Sequence, residues 1–296
     1  MILKRLACFW LLCVSVCCSY AHQQIDTAET QSRAVPSEKT SKYINPEGFT
    51  IGARFDITKA GANYYRKSVV NGTFEYYLLN LPLKPATYKT HFADGEEKSF
   101  DVQIGVLDLP LTPAGCHQSS GFIIRLRAEY LYNSKLYGRI HFNYINGFVC
   151  SYAKWAAGFR VNNTNNGWEH TAELDYGREN FKKYLDHVLK NTTVSSLSRE
   201  MVKVNIRDVR PGDVLIQTGH NGHAVLILDA LYNDVEKTVK LMLAQGFTPA
   251  QEMEILKNYE DDESPWFTVP LDSGDETMIR TPQWTFYVKD LRRFSN

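Results

Sequence analysis

The sequence predicts an α+β fold in which one helix packs on an antiparallel sheet, with a β-rich extension on its N-terminal side. Three observations carry this. Ser119 to Leu136 places Phe122, Ile123, Leu126, Tyr130 and Leu131 at spacings of three and four, the stripe of an amphipathic helix. Residues 212 to 247 hold three apolar runs, Val214-Leu215-Ile216, His223 to Asp229 and Val239 to Gln245. They are split by Gly219-His220-Asn221-Gly222 and by Asn233 to Lys237, which reads as a meander ending in a hairpin. From Phe49 to Leu109, runs such as Glu75-Tyr76-Tyr77-Leu78-Leu79 and Val102 to Leu107 alternate with turn signals at Asn71-Gly72 and Asp94-Gly95, a β-leaning pattern.

Taken in order, the chain opens on Lys4-Arg5, an apolar run from Leu6 to Cys18 and then Ser19-Tyr20-Ala21, the layout of a signal peptide cleaved after Ala21. The run is short of the roughly 20 residues a spanning helix needs, so no integral membrane segment is expected in the mature chain. Lipid attachment at Cys17 or Cys18 is the weaker reading, because Val16 and Val14 stand where small residues precede a lipidated Cys. Residues 22 to 45 are polar and aperiodic and read as a flexible leader; residues 46 to 296 form one domain. Within it the helix starts after Pro110 to Gly115, with Ser119 as a natural cap. Further helices are expected at about Tyr152 to Phe159 and Arg178 to Lys190, and Thr281 to Val288 is expected to return as a sheet strand.

Composition narrows the function. The chain has 33 basic and 33 acidic side chains, and cleavage removes Lys4 and Arg5 but no acid, so there is no basic excess for nucleic acid. Of the six Cys only Cys116 and Cys150 lie beyond the signal, enough for one disulfide and no disulfide scaffold. His220 and His223 with Cys116 and His117 are ligand types suited to zinc. However, His-x-x-His on a Gly-rich turn lacks the helical spacing of zinc hydrolases, so neither metal nor cofactor is expected.

The pattern that carries chemistry is a nucleophile at a helix N-terminus, a His on a following strand and a polar residue on the next. The helix terminus lowers a thiol pKa and stabilises an oxyanion, the His moves the proton, and the third residue fixes the His tautomer. In the expected hairpin His223 lies ten residues before Asn233 and Gln245 eight after Lys237, so the two are neighbours across the ladder. Each residue has a plainer reading. His223 could be a core His, Ser119 only a cap, and Arg125 with Glu129 an i,i+4 ion pair of structural kind. Cys150 is a small buried hydrophobe or the partner of Cys116, and Tyr144, Tyr152, Trp155 and Trp168 are read as core before groove.

Two resemblances follow from these residues. Gln118-Ser119-Ser120-Gly121-Phe122, Pro211 to Ile216 and His223-Ala224-Val225-Leu226-Ile227 resemble the helix start and His strand of secreted NlpC/P60-type cell-wall peptidases, which have a papain-like core. Over nearly the whole mature chain, Arg125 to Leu131, Asn146-Gly147-Phe148, Gly212 to Gln217, Ala244 to Glu252, Pro265-Trp266-Phe267 and Thr281-Pro282-Gln283-Trp284-Thr285-Phe286 resemble the secreted bacterial family called domain of unknown function 4846. The resemblance implies a papain-like, NlpC/P60-like core (elements about 116 to 136 and 212 to 247) in an exported protein of the periplasm or cell surface. It implies a peptidase or amidase acting on cell-wall peptide or a related amide. Both families usually carry Cys at the helix start, where this chain has Ser119 and its nearest thiol is Cys116. Three readings stay open: Ser119 attacks with His223 as base and Gln245 behind it, Cys116 attacks instead, or the fold is a catalytically inactive binding module.

Overall fold

The computed structural model describes residues 41–111, 119–261 and 264–295; the predicted signal peptide, most of the leader, and Cys116 lie outside them. Tyr43 and Ile44, assigned above to the leader, are already buried, and the Tyr43 hydroxyl donates to the Asp261 carboxylate, so the folded part begins a few residues early. The chain then forms α1 (Ile51–Arg54), the short strand β1 (Tyr65–Arg66), α2 (Phe74–Leu79) and β2 (Gln103–Val106). Next come α3 (Ser119–Asn133), β3 (His141–Asn143), β4 (Val149–Ser151), α4 (Tyr152–Ala156), β5 (Phe159–Val161), β6 (Trp168–His170), α5 (Arg178–Asn191) and α6 (Val194–Ser198). The remainder is β7 (Met201–Lys203), β8 (Val214–Gln217), β9 (His223–Asn233), β10 (Thr238–Gln245), β11 (Glu254–Leu256), β12 (Trp266–Pro270), β13 (Met278–Arg280), β14 (Thr285–Tyr287) and β15 (Leu291–Phe294).

Helices and antiparallel strands together make an α+β fold. Among the described residues nine strands share one sheet, in the order β2-β11-β10-β9-β8-β15-β7, with β12 beside the first half of β10 and β1 beside the far end of β9. The meander read from residues 212 to 247 is its centre. Asn233 Oδ1 accepts from the backbone N–H of Val235 and Glu236 and closes the β9–β10 turn, where Lys237 takes a positive φ. Every residue of β9 is buried. Its alternate residues Ala224, Leu226 and Leu228 pack into one apolar layer with Phe122, Ile123 and Leu126 of α3. Val225 and Ile227 face a second layer with Leu241, Leu243, Phe267, Ile279 and Phe286. No helix among the described residues is long and apolar enough to cross a membrane.

Four expectations are corrected. The N-terminal extension is not β-rich: Glu75 to Leu79 lies in α2, because the Thr73 side chain caps the Tyr76 N–H and Phe74 and Leu78, one turn apart, are both buried. Helix α3 is not amphipathic but buried on nearly all sides from Ser119 to Ala128. Its charges are met inside: Arg125 Nε pairs with Glu129 at 3.1 Å and its Nη1 donates to the Pro110 carbonyl at 2.6 Å, while the Arg127 guanidinium lies over the rings of Phe74 and Phe294. Helix α4 stops at Ala156, before Phe159, because Gly158 turns the chain at φ +92° against the Ala172 carbonyl. Within Thr281 to Val288 the strand β14 pairs with β13 as a separate hairpin, and it is β15 that enters the main sheet between β8 and β7.

The turn before β8 is set by Gly212, at φ +92°, where a Cβ would stand 2.7 Å from Phe74 Cδ1. Gly212→Ala is expected to cost about 2–4 kcal/mol from left-handed strain and overpacking together. This would be read as a lower urea midpoint at unchanged slope; an unmoved midpoint would show that the turn and α2 absorb the methyl.

Candidate active site

The site is built at the end of the sheet where β9 begins. The β9–β10 register shifts between Met242 and Leu243, leaving Ala244 opposite Leu226. One step further Gln245 faces Val225, so His223 is its diagonal neighbour on the same face. His223 Nε2 and Gln245 Oε1 are 2.9 Å apart, both side chains buried. Across from Gln245 on β11 stands Glu254, and Gln245 Nε2 donates to its Oε1 at 2.9 Å and to Gln283 Oε1 at 2.8 Å. Glu254 is fully buried, 2.6 Å from Lys98 Nζ, and accepts from the Thr90 hydroxyl at 2.9 Å.

Aromatic rings enclose the imidazole. The centroids of Phe247 and Trp284 lie 5.1 Å from it and that of Phe286 lies 6.0 Å away. Trp284 is held in place by Gln217, the residue opposite His223 on β8: its indole N–H donates to Gln217 Oε1, and Gln217 Nε2 donates on to Asp290 and the Thr285 carbonyl. Burial pulls the His223 ring below the ordinary His value, and the bond to Gln245 and the charge of Glu254 oppose that pull. The imidazole is thus neutral at neutral pH, the state a general base requires.

Helix α3 meets the sheet one residue away. Ser119 is buried, and its Oγ accepts the Ala224 backbone N–H at 3.3 Å, which pins the helix start to β9 beside His223. Among the described residues no hydrogen bond joins Ser119 to His223. The structure therefore brings His223 and Gln245 into direct contact, with Ser119 next along the strand, and Cys116 lies outside the described residues. Sequence reasoning missed Glu254, Lys98, Thr90, Gln217, Gln283 and Trp284 as members of this cluster; Gln217, Gln283 and Trp284 were legible only as parts of family motifs.

With this geometry in view, a comparison with family models decides kinship. The model for domain of unknown function 4846 matches residues 52–293. The chain belongs to that family. No curated protein matches it. No solved structure matches it either. The family carries no assigned chemistry, so the reading of this member rests on its own residues.

The other candidate residues take structural places. Tyr144, Tyr152 and Trp155 are buried, and Trp168 is half-buried against Phe148. His220 is exposed in the turn before β9, and among the described residues no three His, Cys, Asp or Glu side chains are grouped as a metal would need. Cys150 is a free, fully buried thiol, and burial pushes its pKa up to about 12. Such a thiol is inert. Cys150 is expected to resist a small alkylating agent at pH 8 until the protein is unfolded, as read by intact mass; rapid labelling of the native protein would contradict the burial.

Proposed function

We propose that this member of the family is an exported peptide or amide hydrolase, with an NlpC/P60-like, papain-like site acting on cell-wall peptide or a related amide. The observation that carries the reading is the buried contact between His223 Nε2 and Gln245 Oε1 at 2.9 Å, placed beside the start of α3. His223 is the base. The Gln245 bond occupies one ring nitrogen and leaves Nδ1 to take a proton from the nucleophile and return it to the leaving amine. The backbone N–H groups at the start of a fifteen-residue helix are suited to an oxyanion. Ser119 and Cys116 are the two candidate nucleophiles, both at or just before that helix start. The signal-like residues 1 to 21 fit an envelope location, and N-terminal sequencing of the exported protein should begin at His22.

A second reading has its own support. Ser119 Oγ already accepts the Ala224 N–H, a structural task, which favours either Cys116 as nucleophile or a binding module that does not cut. Substitution separates the three. On cell-wall peptide substrates His223→Ala is expected to lower kcat/KM by about 10²–10⁴-fold. Of Ser119→Ala and Cys116→Ala, only the one that removes the true nucleophile should abolish turnover. Binding without turnover in the unmodified protein would establish the module instead.

The pH profile gives an independent check. The base works only when unprotonated, and burial holds His223 below its ordinary value of about 6.5. Therefore kcat/KM should fall as pH drops through a midpoint below 6.5 and stay level just above it. An acid limb centred above pH 7 would remove His223 from the role of base.

A further inference from the structure

We propose that Glu254, held by Lys98 and Thr90, is a positioning residue that locks the neutral His223 ring in the tautomer with its proton on Nε2. This rests on the reading of His223 as the base and goes beyond it, because it says what decides which ring nitrogen is free to act. The argument is one of hydrogen-bond direction. A carboxylate facing an ammonium at 2.6 Å has no proton to give, so every group bonded to Glu254 must donate to it. Gln245 therefore turns its amide nitrogen to Glu254, 2.9 Å away, and its carbonyl oxygen to His223. An amide oxygen only accepts, so the imidazole nitrogen facing it must donate. The proton of the neutral ring is then on Nε2 and the lone pair on Nδ1.

Gln283 accepts from Gln245 as well, and the same Gln283 oxygen lies 3.5 Å from Lys98 Nζ, a group that only donates, whereas a lone Gln–Gln–His chain could run in both directions. The direction is set by the charge pair: Glu254 cannot donate and Lys98 cannot accept. Glu254 is fixed in turn from two further segments: Lys98 binds the same oxygen that accepts from Gln245, and the Thr90 hydroxyl donates to the other. All four side chains of the run Lys98, Glu254, Gln245 and His223 are buried, so water does not offer the amide an alternative partner.

The test reads the tautomer directly, from ring-nitrogen chemical shifts of His223 in the ¹⁵N-labelled mature protein above its titration, with His223→Asn used to assign the signals. The wild-type ring should be Nε2–H, by on the order of tenfold over the other form, the bias of one hydrogen bond. In Lys98→Met/Glu254→Met both buried charges leave together, so neither is stranded, and the ring should lose its bias toward a mixture of tautomers. Glu254→Gln should rescue the lock, because Lys98 still demands an oxygen on the side where Gln245 donates, while the new amide nitrogen can turn to the Thr90 hydroxyl. A folded double variant with an unchanged Nε2–H ring would overturn the proposal. So would a wild-type ring protonated on Nδ1, a result that needs no substitution and stands even if the double variant does not fold. The measurement uses no substrate: a locked tautomer in a protein that cuts nothing leaves this proposal standing and sinks only the hydrolase, and hydrolysis with a wild-type ring protonated on Nδ1 does the reverse.

Discussion

Sealing β9 between two apolar layers is the constraint from which the rest of the molecule follows. A strand covered by α3 on one face and by the β13–β14 hairpin on the other must present apolar residues on both sides, and from Ala224 to Leu228 this one does. The run begins on a His. His223 enters the core directly from an exposed turn, so its buried imidazole stands at the mouth of the second layer. A buried polar group needs a partner, and that partner needs another. Gln245, Glu254, Lys98, Thr90 and Gln283 extend that requirement inward until a charge pair closes it.

Three buried acids show the same logic at different places. Asp229 on β9 receives Arg66 from β1, Asp213 before β8 receives Arg293 from β15, and Glu254 on β11 receives Lys98 from the segment ahead of β2. In each case the acid lies in or beside the central strands and the base arrives from a remote stretch of chain. Such pairs are poor sources of stability, because desolvation offsets most of the attraction. Asp213 makes this visible: burial pushes its carboxyl up although Arg293 binds it at 2.6 and 2.8 Å. What the pairs supply is placement. Each remote segment has one docking position that leaves no buried charge alone.

How much of this the sequence discloses depends on the range of the interaction. The β9–β10 hairpin is local, its turn chemistry is written in Asn233 to Lys237, and counting from that turn brings His223 and Gln245 together even though the irregularity at Met242–Leu243 cannot be seen by counting. Lys98 and Glu254 are 156 residues apart, and each alone reads as a solvated surface charge. The misreading of Glu75 to Leu79 has a different origin. Two adjacent Tyr and two adjacent Leu fit a strand as well as a helix, and the deciding signal was the Thr73 cap. In α3 the polar residues between the apolar ones suggested a wet face, whereas Arg125 and Arg127 are taken inside by a carboxylate, a carbonyl and aromatic rings.

The same network bears on why His223 is there at all. A His that served only the core would be satisfied by a single backbone carbonyl, and an apolar residue would fill the space with no polar debt. Here the imidazole is the last member of a directed run that ends in an ion pair, and the direction leaves one named nitrogen as acceptor. Fixing a tautomer matters only where a proton is to move through the ring or a ligand is to be read by it. Ser119 adds to this from the other side. By accepting the Ala224 N–H it holds the start of α3 against the residue next to His223, so the helix terminus is fixed to the strand that carries the imidazole.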